Sequence, residues 1–183
     1  MLLAQMPAAQ AGLVTWTLSN VQFDDGGSVS GYFQFDAVNL TVANYNLVTT
    51  GGNATNFPGL TYSSTTKTVD PYYNGFGGLA SISFYDVAPN NTVGGGAYRS
   101  LILEFNGLLT NLGGSFSVDA GALSSGSIEC YNCNPNRKVV SGGSITGVPV
   151  AEVDPSSSTP EPGTLGLITA GSIAAFVLRR RRS

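Results

Sequence analysis

The chain has 183 residues, which is the length of one domain with room for short terminal segments. It contains no histidine, and this excludes Ser-His-Asp and Cys-His catalysis as well as imidazole ligation of zinc or haem. Residues 12–159 carry four bases and ten acids, and because such an acidic body offers no patch that follows a phosphate backbone, nucleic-acid binding is excluded.

Residues 1–11 read MLLAQMPAAQA and predict the end of a signal peptide. Ala9-Gln10-Ala11 has the small-x-small pattern that precedes a signal-peptidase cut, which would leave Gly12 as the first residue. A basic start and a full apolar stretch are missing, so we interpret the segment as a partial signal peptide and expect the natural start upstream of Met1. An unstructured N-terminus in a protein that is never exported is the alternative.

Residues 12–150 repeatedly alternate apolar and polar side chains, as strands with one buried face do. The alternation runs through residues 14–18, 29–36, 80–85, 100–105 and 115–118. Clusters of Gly, Asn, Asp and Pro separate these runs and indicate turns. We therefore predict eight to ten short strands in an all-β, antiparallel β-sandwich, with a β-barrel or jelly roll as the alternative.

Aromatic residues raise the question of sugar stacking in this predicted domain. Trp16, the only tryptophan, lies between Val14 and Leu18 in the first alternating run, and this position favours the core over a sugar-stacking platform. Tyr72, Tyr73 and Phe76 follow Pro71 in a Gly- and Asn-rich region with weak strand character. They are candidate glycan-binding residues if the loop exposes them, and core residues if they fold back onto the sheets.

Carboxylates provide the other candidate chemistry. Asp24, Asp25 and Asp36 would meet across the first hairpin and offer hard oxygen ligands to Ca²⁺. Asp-Asp-Gly-Gly is also ordinary turn chemistry, so we predict neither a metal site nor any cofactor. The only carboxylate pairs that we find for glycoside cleavage join Glu104 to Asp86 or Glu129, and no pattern brings them together. We expect that the protein is not an enzyme.

Cys130 and Cys133 form a C-x-x-C pair. A zinc site needs four ligands, and a thioredoxin-like motif needs a βαβ context that the alternating strands exclude. In an exported protein we therefore predict a disulfide at the end of a hairpin, with one strand over residues 126–130 and the next over residues 137–145. A bridge between two chains is the less favoured alternative.

The C-terminal region changes character three times. Residues 151–159 are rich in Pro and Ser and read as a linker. Pro160, Glu161 and Pro162 follow, then an uncharged stretch at residues 163–178, and the last bases are Arg179, Arg180, Arg181 and Arg182. Sixteen helical residues reach about 24 Å, slightly short of the ~30 Å hydrocarbon core, and long arginine stems extend that reach. We predict a transmembrane helix with its arginines in the cytoplasm and residues 12–159 across the membrane; a buried C-terminal helix is the alternative.

The order Pro-Glu-Pro, apolar stretch and arginine cluster at residues 160–183 resembles the PEP-CTERM sorting signal of exported Gram-negative proteins. The resemblance implies processing near Pro160, Glu161 and Pro162 by a membrane transpeptidase of the exosortase type. It also implies a host that makes exopolysaccharide and a mature protein that keeps no helix in the membrane.

The body also resembles an uncharacterised class of exported β-domains, through residues 14–18, 23–27 and the strand that ends at Asp36. No activity is implied by that class.

We predict an exported structural protein of the cell surface or extracellular matrix, associated with exopolysaccharide and biofilm. An extracellular carbohydrate-binding module is the alternative, and a glycan-active enzyme is less favoured.

Overall fold

The computed structural model describes residues 12–53, 55–66, 71–76, 78–87, 98–121, 126–131, 135–140 and 142–151. By its contacts the chain divides into two units, Met1–Ala151 and Glu152–Ser183. The predicted signal peptide, the sorting segment and nearly all of the linker lie outside the described residues. The predicted span at residues 163–178 lies there too, and no helix among the described residues is long and apolar enough to cross a membrane.

The described residues form eleven strands, which are β1 Val14–Gln22, β2 Ser28–Asp36, β3 Thr41–Thr49, β4 Leu60–Ser63, β5 Tyr72–Phe76, β6 Leu79–Val87, β7 Tyr98–Phe105, β8 Gly114–Ser117, β9 Ile128–Tyr131, β10 Asn136–Lys138 and β11 Ser144–Pro149. A six-stranded sheet has the order β4-β3-β2-β1-β11-β8, and a five-stranded sheet has the order β10-β9-β7-β6-β5. The pairing within both sheets is antiparallel, which confirms the predicted fold class.

The two sheets enclose one apolar core in a sandwich-like arrangement. It includes alternating positions that the sequence predicts, which are Val14, Trp16, Leu18, Val29, Phe33, Phe35, Ala80, Ile82, Phe84, Leu101, Leu103, Phe105 and Val118. Phe33 of the first sheet stacks on Phe105 of the second, with ring centroids 6.0 Å apart. Burial of these faces supplies the main driving force for folding.

The strand count and the course of residues 137–145 differ from the prediction. The short strands β4, β5 and β10 lie in segments with little alternation, which is why the prediction of eight to ten strands was too low. The single strand expected after the cysteines is two strands, since β10 ends at Lys138 in one sheet and β11 begins at Ser144 in the other. Gly142 lies between them with a φ of +76°, a conformation that glycine adopts easily and that lets the chain change sheets.

The sandwich has two ends with different loops. The exit end is where the described chain leaves at Ala151, and it includes the β2–β3 turn, the β7–β8 loop and the last residues of β11. The far end includes the β1–β2 turn at residues 23–27 and the β3–β4 connection at residues 50–59.

Candidate functional site

Trp16 lies in the core, as the favoured interpretation of the sequence has it. Its side chain is fully buried and stacks on Phe116 at a centroid distance of 5.6 Å. Gly147 on the neighbouring strand β11 leaves room for the indole, because a Cβ at that position would lie 2.6 Å from two ring atoms. Trp16 is therefore not available for sugar stacking.

The three aromatic residues considered for glycan binding lie on an edge strand of the five-stranded sheet, β5, and not on the expected loop. Tyr73 folds back onto the core, with its ring 4.6 Å from that of Phe35, and burial raises the pKa of its phenol. Tyr72 is 63% exposed. The side chain of Phe76 lies outside what the structure describes, so only Tyr72 presents an accessible ring in the described part of this strand.

The three aspartates considered for Ca²⁺ belong to separate arrangements. The side chain of Asp24 accepts a hydrogen bond from the backbone N–H of Lys138 at 3.1 Å, and Asp25 turns toward Arg137. Asp36 lies at the opposite end of β2 and accepts a bond from the backbone N–H of Val38 at 2.8 Å. Within the described ranges, no three potential metal ligands of the Asp, Glu or Cys type come together.

The carboxylates considered for glycoside cleavage do not converge either. Glu104 of β7 lies opposite Ser81 of β6, whereas Asp86 lies five residues further along the same strand. That offset corresponds to about 17 Å along β6, beyond the ~5–10 Å that two cooperating carboxyl groups need. Glu129 is fully buried between the sheets.

Cys130 lies at the end of the β9–β10 hairpin, where its partner in the sheet register is Asn136. The hairpin itself was predicted around the C-x-x-C pair and is confirmed. The sulfur of Cys130 is buried and lies 3.1 Å from the hydroxyl of Ser100. Cys133 lies outside the described residues, so the disulfide stays a prediction.

The most developed polar arrangement of the described chain is one that the sequence did not predict, a buried ionic cluster of Glu129, Arg99, Arg137 and Asp25. Glu129 provides its centre from β9. Its Oε1 lies 2.9 Å from Nε of Arg99, and its Oε2 accepts a hydrogen bond from Nε of Arg137 at 2.7 Å. The contacts of Arg99 Nε and Arg137 Nη2 with the carboxylate are charge contacts without hydrogen-bond alignment.

The cluster joins the two sheets. Glu129 belongs to the five-stranded sheet, and its Oε1 accepts hydrogen bonds from the hydroxyls of Tyr62 at 2.7 Å and Thr49 at 3.3 Å, both from the six-stranded sheet. Burial and the neighbouring charge of Glu129 raise the pKa of Tyr62 well above its usual value, so the phenol stays a donor at any physiological pH. The polar contacts therefore fasten one sheet to the other in the buried space between them.

Arg137 extends the cluster to the loops of the far end. Its Nη1 donates to both carboxylate oxygens of Asp25, at 3.3 and 3.1 Å, and to the carbonyl oxygen of Thr50 at 2.9 Å. Its guanidinium carbon lies 4.1 Å from the ring centroid of Phe23 and 5.1 Å from that of Phe57, within the range of cation–π attraction.

Asp25 is held as an anion in this setting. Partial burial acts to raise its pKa, but hydrogen bonds from the backbone N–H groups of Asn53 and Gly27 and the charge of Arg137 outweigh that effect, and the pKa is below its usual value of 3.8. Two carboxylates and two guanidinium groups balance in charge. Such an arrangement is suited to closing the end of the sandwich, and its central carboxylate is out of reach of any substrate.

A sequence signal for this cluster exists only after the hairpin register is known. Glu129 and Arg137 are directly opposite in the register of β9 and β10, so the predicted hairpin around the cysteines brings them together. Their burial has no signal in the local pattern, because a charged residue in a short strand is usually solvated.

Residues 158–182 match the family model of the PEP-CTERM protein-sorting motif. The predicted sorting signal is thereby confirmed; it contains Pro160, Glu161, Pro162 and Arg179, Arg180, Arg181 and Arg182. Comparisons with curated proteins and with solved structures found no match. The likeness of the body to an exported β-domain class stays a prediction. The motif indicates an exported protein that associates with the membrane and is processed there by an exosortase.

Proposed function

We propose that the β-sandwich is a structural component of the cell surface or extracellular matrix, delivered across the inner membrane and then released or attached outside by processing at its sorting motif. The motif at residues 158–182 supports the delivery route. The proposal assigns no catalytic role and no cofactor to the domain, and it includes an association with exopolysaccharide in a biofilm.

The main support for a structural role is that charged side chains of the described body are bound within the fold. Glu129, Arg99 and Arg137 are buried in the ionic cluster, and Asp25 is bound to it. Asp36 accepts bonds from its own turn. These five charged side chains are thus engaged in holding the fold, while the exposed strand positions are mainly Ser, Thr, Asn and Tyr. Such polar, weakly charged faces suit contact with neutral glycan chains and with other copies.

The intact mass of the mature protein tests the delivery step. Host cells are fractionated with and without the candidate exosortase, and the protein of each fraction is weighed by mass spectrometry. We expect the outer fractions to contain a chain that ends near Pro160, Glu161 and Pro162, and this form to disappear when the enzyme is absent. A full-length chain that stays in the inner membrane in both strains would contradict the proposal.

The matrix role is tested on the protein recovered from the outer fractions, by sedimentation at rising concentration with and without host exopolysaccharide. Assembly or co-sedimentation supports it. A protein that stays monomeric in both conditions contradicts it.

Carbohydrate binding is the second candidate, and the exposed ring of Tyr72 on edge strand β5 favours it. We expect Tyr72→Ala to weaken co-sedimentation with exopolysaccharide if that ring stacks on sugars. Tyr32→Ala is the matched control, since Tyr32 is 39% exposed but lies in the six-stranded sheet. Equal binding by both variants would remove Tyr72 from the glycan contact.

A further inference from the structure

Six exposed aliphatic residues gather at the exit end of the sandwich, and we call them the apolar tip. They come from the β2–β3 turn, the β7–β8 loop and β11 with the residue after it, and they are Val38, Leu40, Leu108, Leu112, Val148 and Val150. Their exposed fractions range from 41% for Val150 to 88% for Leu112. Aliphatic side chains scattered singly over a surface are ordinary, but a group of them at one place marks a contact surface.

Direct contacts hold the three segments of the apolar tip together. The backbone N–H of Ala37 in the β2–β3 turn donates to Oδ1 of Asn111 in the β7–β8 loop at 2.8 Å. The same loop approaches β11, because a Cβ on Gly113 would lie 3.3 Å from Cδ of Pro149. The tip is therefore one surface of the folded domain and not three independent loops.

The fold does not account for these side chains. Leu40 has a φ of +55°, a left-handed conformation that normally belongs to glycine or asparagine, yet it holds a leucine that is 56% exposed. In the β7–β8 loop, Leu109 is buried and anchors the loop while Leu108 and Leu112 stay outside. The only charged residue in residues 36–41, 106–113 and 147–151 is Asp36.

The chain that continues from this end leads to the membrane. The sorting motif begins at residue 158, seven residues after Ala151, and the predicted apolar span begins at residue 163. Seven extended residues reach at most about 25 Å and twelve at most about 43 Å, which keeps this end of the domain near the bilayer until the chain is cut. The far end lies roughly 30 Å from the exit end along the nine residues of β1, so the chain to the sorting motif starts at the tip and not at the ionic cluster.

We propose that the apolar tip is a lipid-contact surface, which inserts its aliphatic side chains into the interfacial layer of the bilayer while the sorting segment holds the chain there. The inference rests on the proposed membrane processing. The tether supplies a high local concentration of lipid, so a few partly buried side chains suffice for contact. After the cut removes the sorting segment, these side chains alone bind the bilayer too weakly for lasting attachment. The domain then leaves the membrane.

The charge of the body selects the lipid. Residues 12–159 have a net charge of −6, and the only charge within the tip segments is the carboxylate of Asp36. Anionic headgroups repel such a surface, whereas zwitterionic headgroups do not. We therefore expect contact with phosphatidylcholine or phosphatidylethanolamine and weaker contact when anionic lipid is added at low salt.

Tryptophan quenching in vesicles tests the proposal on the full chain. The chain is reconstituted in phosphatidylcholine vesicles that contain lipid brominated near the carbonyl end of the acyl chain. Leu112→Trp places a reporter in the tip, and Val48→Trp places one at a 39% exposed position of β3 outside it. Trp16 is fully buried and gives the same background in both variants. We expect quenching of the added tryptophan to be about threefold stronger in Leu112→Trp.

Two further substitutions test whether quenching at position 112 depends on the neighbouring aliphatic side chains of the tip. In the Leu112→Trp background, Val38→Asp and Val148→Asp place charges on either side of the reporter, at positions that are already exposed. We expect quenching to fall to the level of Val48→Trp. Quenching that is unchanged by both aspartates would show that the tip does not insert and would overturn the proposal.

Flotation of the same vesicles separates this inference from the function on which it rests. A chain that floats with the vesicles but shows equal quenching of Leu112→Trp and Val48→Trp overturns the lipid contact alone. A chain that does not float overturns the membrane processing and the lipid contact together.

Discussion

Glu129 links the two sheets of this domain. Its carboxylate contacts two guanidinium groups of its own sheet and accepts hydrogen bonds from Tyr62 and Thr49 of the other. A buried ion pair is not in itself strongly stabilising, because desolvation of the charges offsets their attraction. Loss of one partner is costly, however, since the remaining charges stay buried without compensation.

Glu129→Gln is therefore expected to lower the free energy of unfolding by about 3–5 kcal/mol, because Arg99 and Arg137 lose their shared carboxylate. Urea unfolding of the full chain in mild detergent measures this, with the emission of the buried Trp16 as the probe. Glu104→Gln is the control, since Glu104 is only half-buried and a glutamine oxygen can accept the same bond from the backbone N–H of Gly126. Similar losses in both variants would contradict a special role for the cluster.

Asp25 makes the stability of the folded domain depend on pH. Its pKa is below 3.8 in the folded domain, because the backbone hydrogen bonds and Arg137 outweigh the effect of burial. A lowered pKa means that the carboxylate stabilises the fold above its unfolded pKa, and that this stabilisation is lost as the pH falls through the folded value.

We expect the wild type to lose more stability than Asp25→Asn between pH 5 and about pH 3, and the variant to be the less stable of the two at pH 7. Urea unfolding at the three pH values measures both effects. An equal loss in the wild type and the variant would show that Asp25 does not contribute to the acid sensitivity.

Leu40 occupies a backbone conformation that a branched aliphatic residue rarely adopts. Asparagine tolerates this conformation better, so Leu40→Asn is expected to raise the free energy of unfolding by about 0.5–1 kcal/mol. Leu112→Asn is the control, since Leu112 is exposed and has no positive φ, and it is expected to leave stability unchanged. A destabilised Leu40→Asn would mean that the leucine packs in the turn and is not there at the expense of stability.

Strand β11 lies between the edge strand β8 and β1, and one of its residues packs closely against a side chain of β1. Gly147 faces the ring of Trp16, and a Cβ there would lie 2.6 Å from the indole. We expect Gly147→Ala to lower the free energy of unfolding by about 1–3 kcal/mol, because either the indole or the strand must move. Thr146→Ala, one residue earlier and exposed, is the control. The fluorescence emission of Trp16 reports the changed surroundings of the indole directly. An unshifted emission spectrum with unchanged stability would contradict the close fit.

The strands with clear alternation could be predicted from the sequence, and the short strands could not. Val14, Trp16 and Leu18 lie in the core as predicted, because one buried face imposes a period of two. Strand β10 has three residues, too few for a pattern, and it was joined to β11 although the two belong to different sheets. Register and sheet order depend on packing between distant segments, which a local pattern does not contain.

The same limit explains why the ionic cluster was missed. Arg99 and Glu129 are 30 residues apart in the sequence, and only the pairing of β7 with β9 makes them neighbours. The sorting motif, by contrast, could be recognised from the sequence, because its three parts follow one another directly along the chain and need no tertiary structure to be read.

For the whole molecule, the two ends of the sandwich differ in chemistry as they differ in position. The far end is closed by a charge-balanced cluster, and the exit end presents aliphatic side chains beside the chain that leads to the sorting motif. We expect the orientation of the predicted membrane span to depend on the basic residues that follow it. Arg179, Arg180, Arg181 and Arg182 are the only bases of residues 160–183, and basic residues next to a membrane span favour the cytoplasmic side.

Replacement of all four arginines by serine is expected to reduce the amount of processed protein outside the inner membrane, because the predicted span loses the charge that we expect to orient it. Replacement of all four by lysine is the matched control, since it keeps the charge and is expected to preserve both membrane retention and processing. Fractionation followed by intact-mass measurement of the chain compares the two variants with the wild type. If the serine variant is retained and cut as efficiently as the lysine variant, charge does not orient this segment. If the lysine variant fails as the serine variant does, the guanidinium groups themselves are recognised, which would place the arginines in contact with the sorting enzyme.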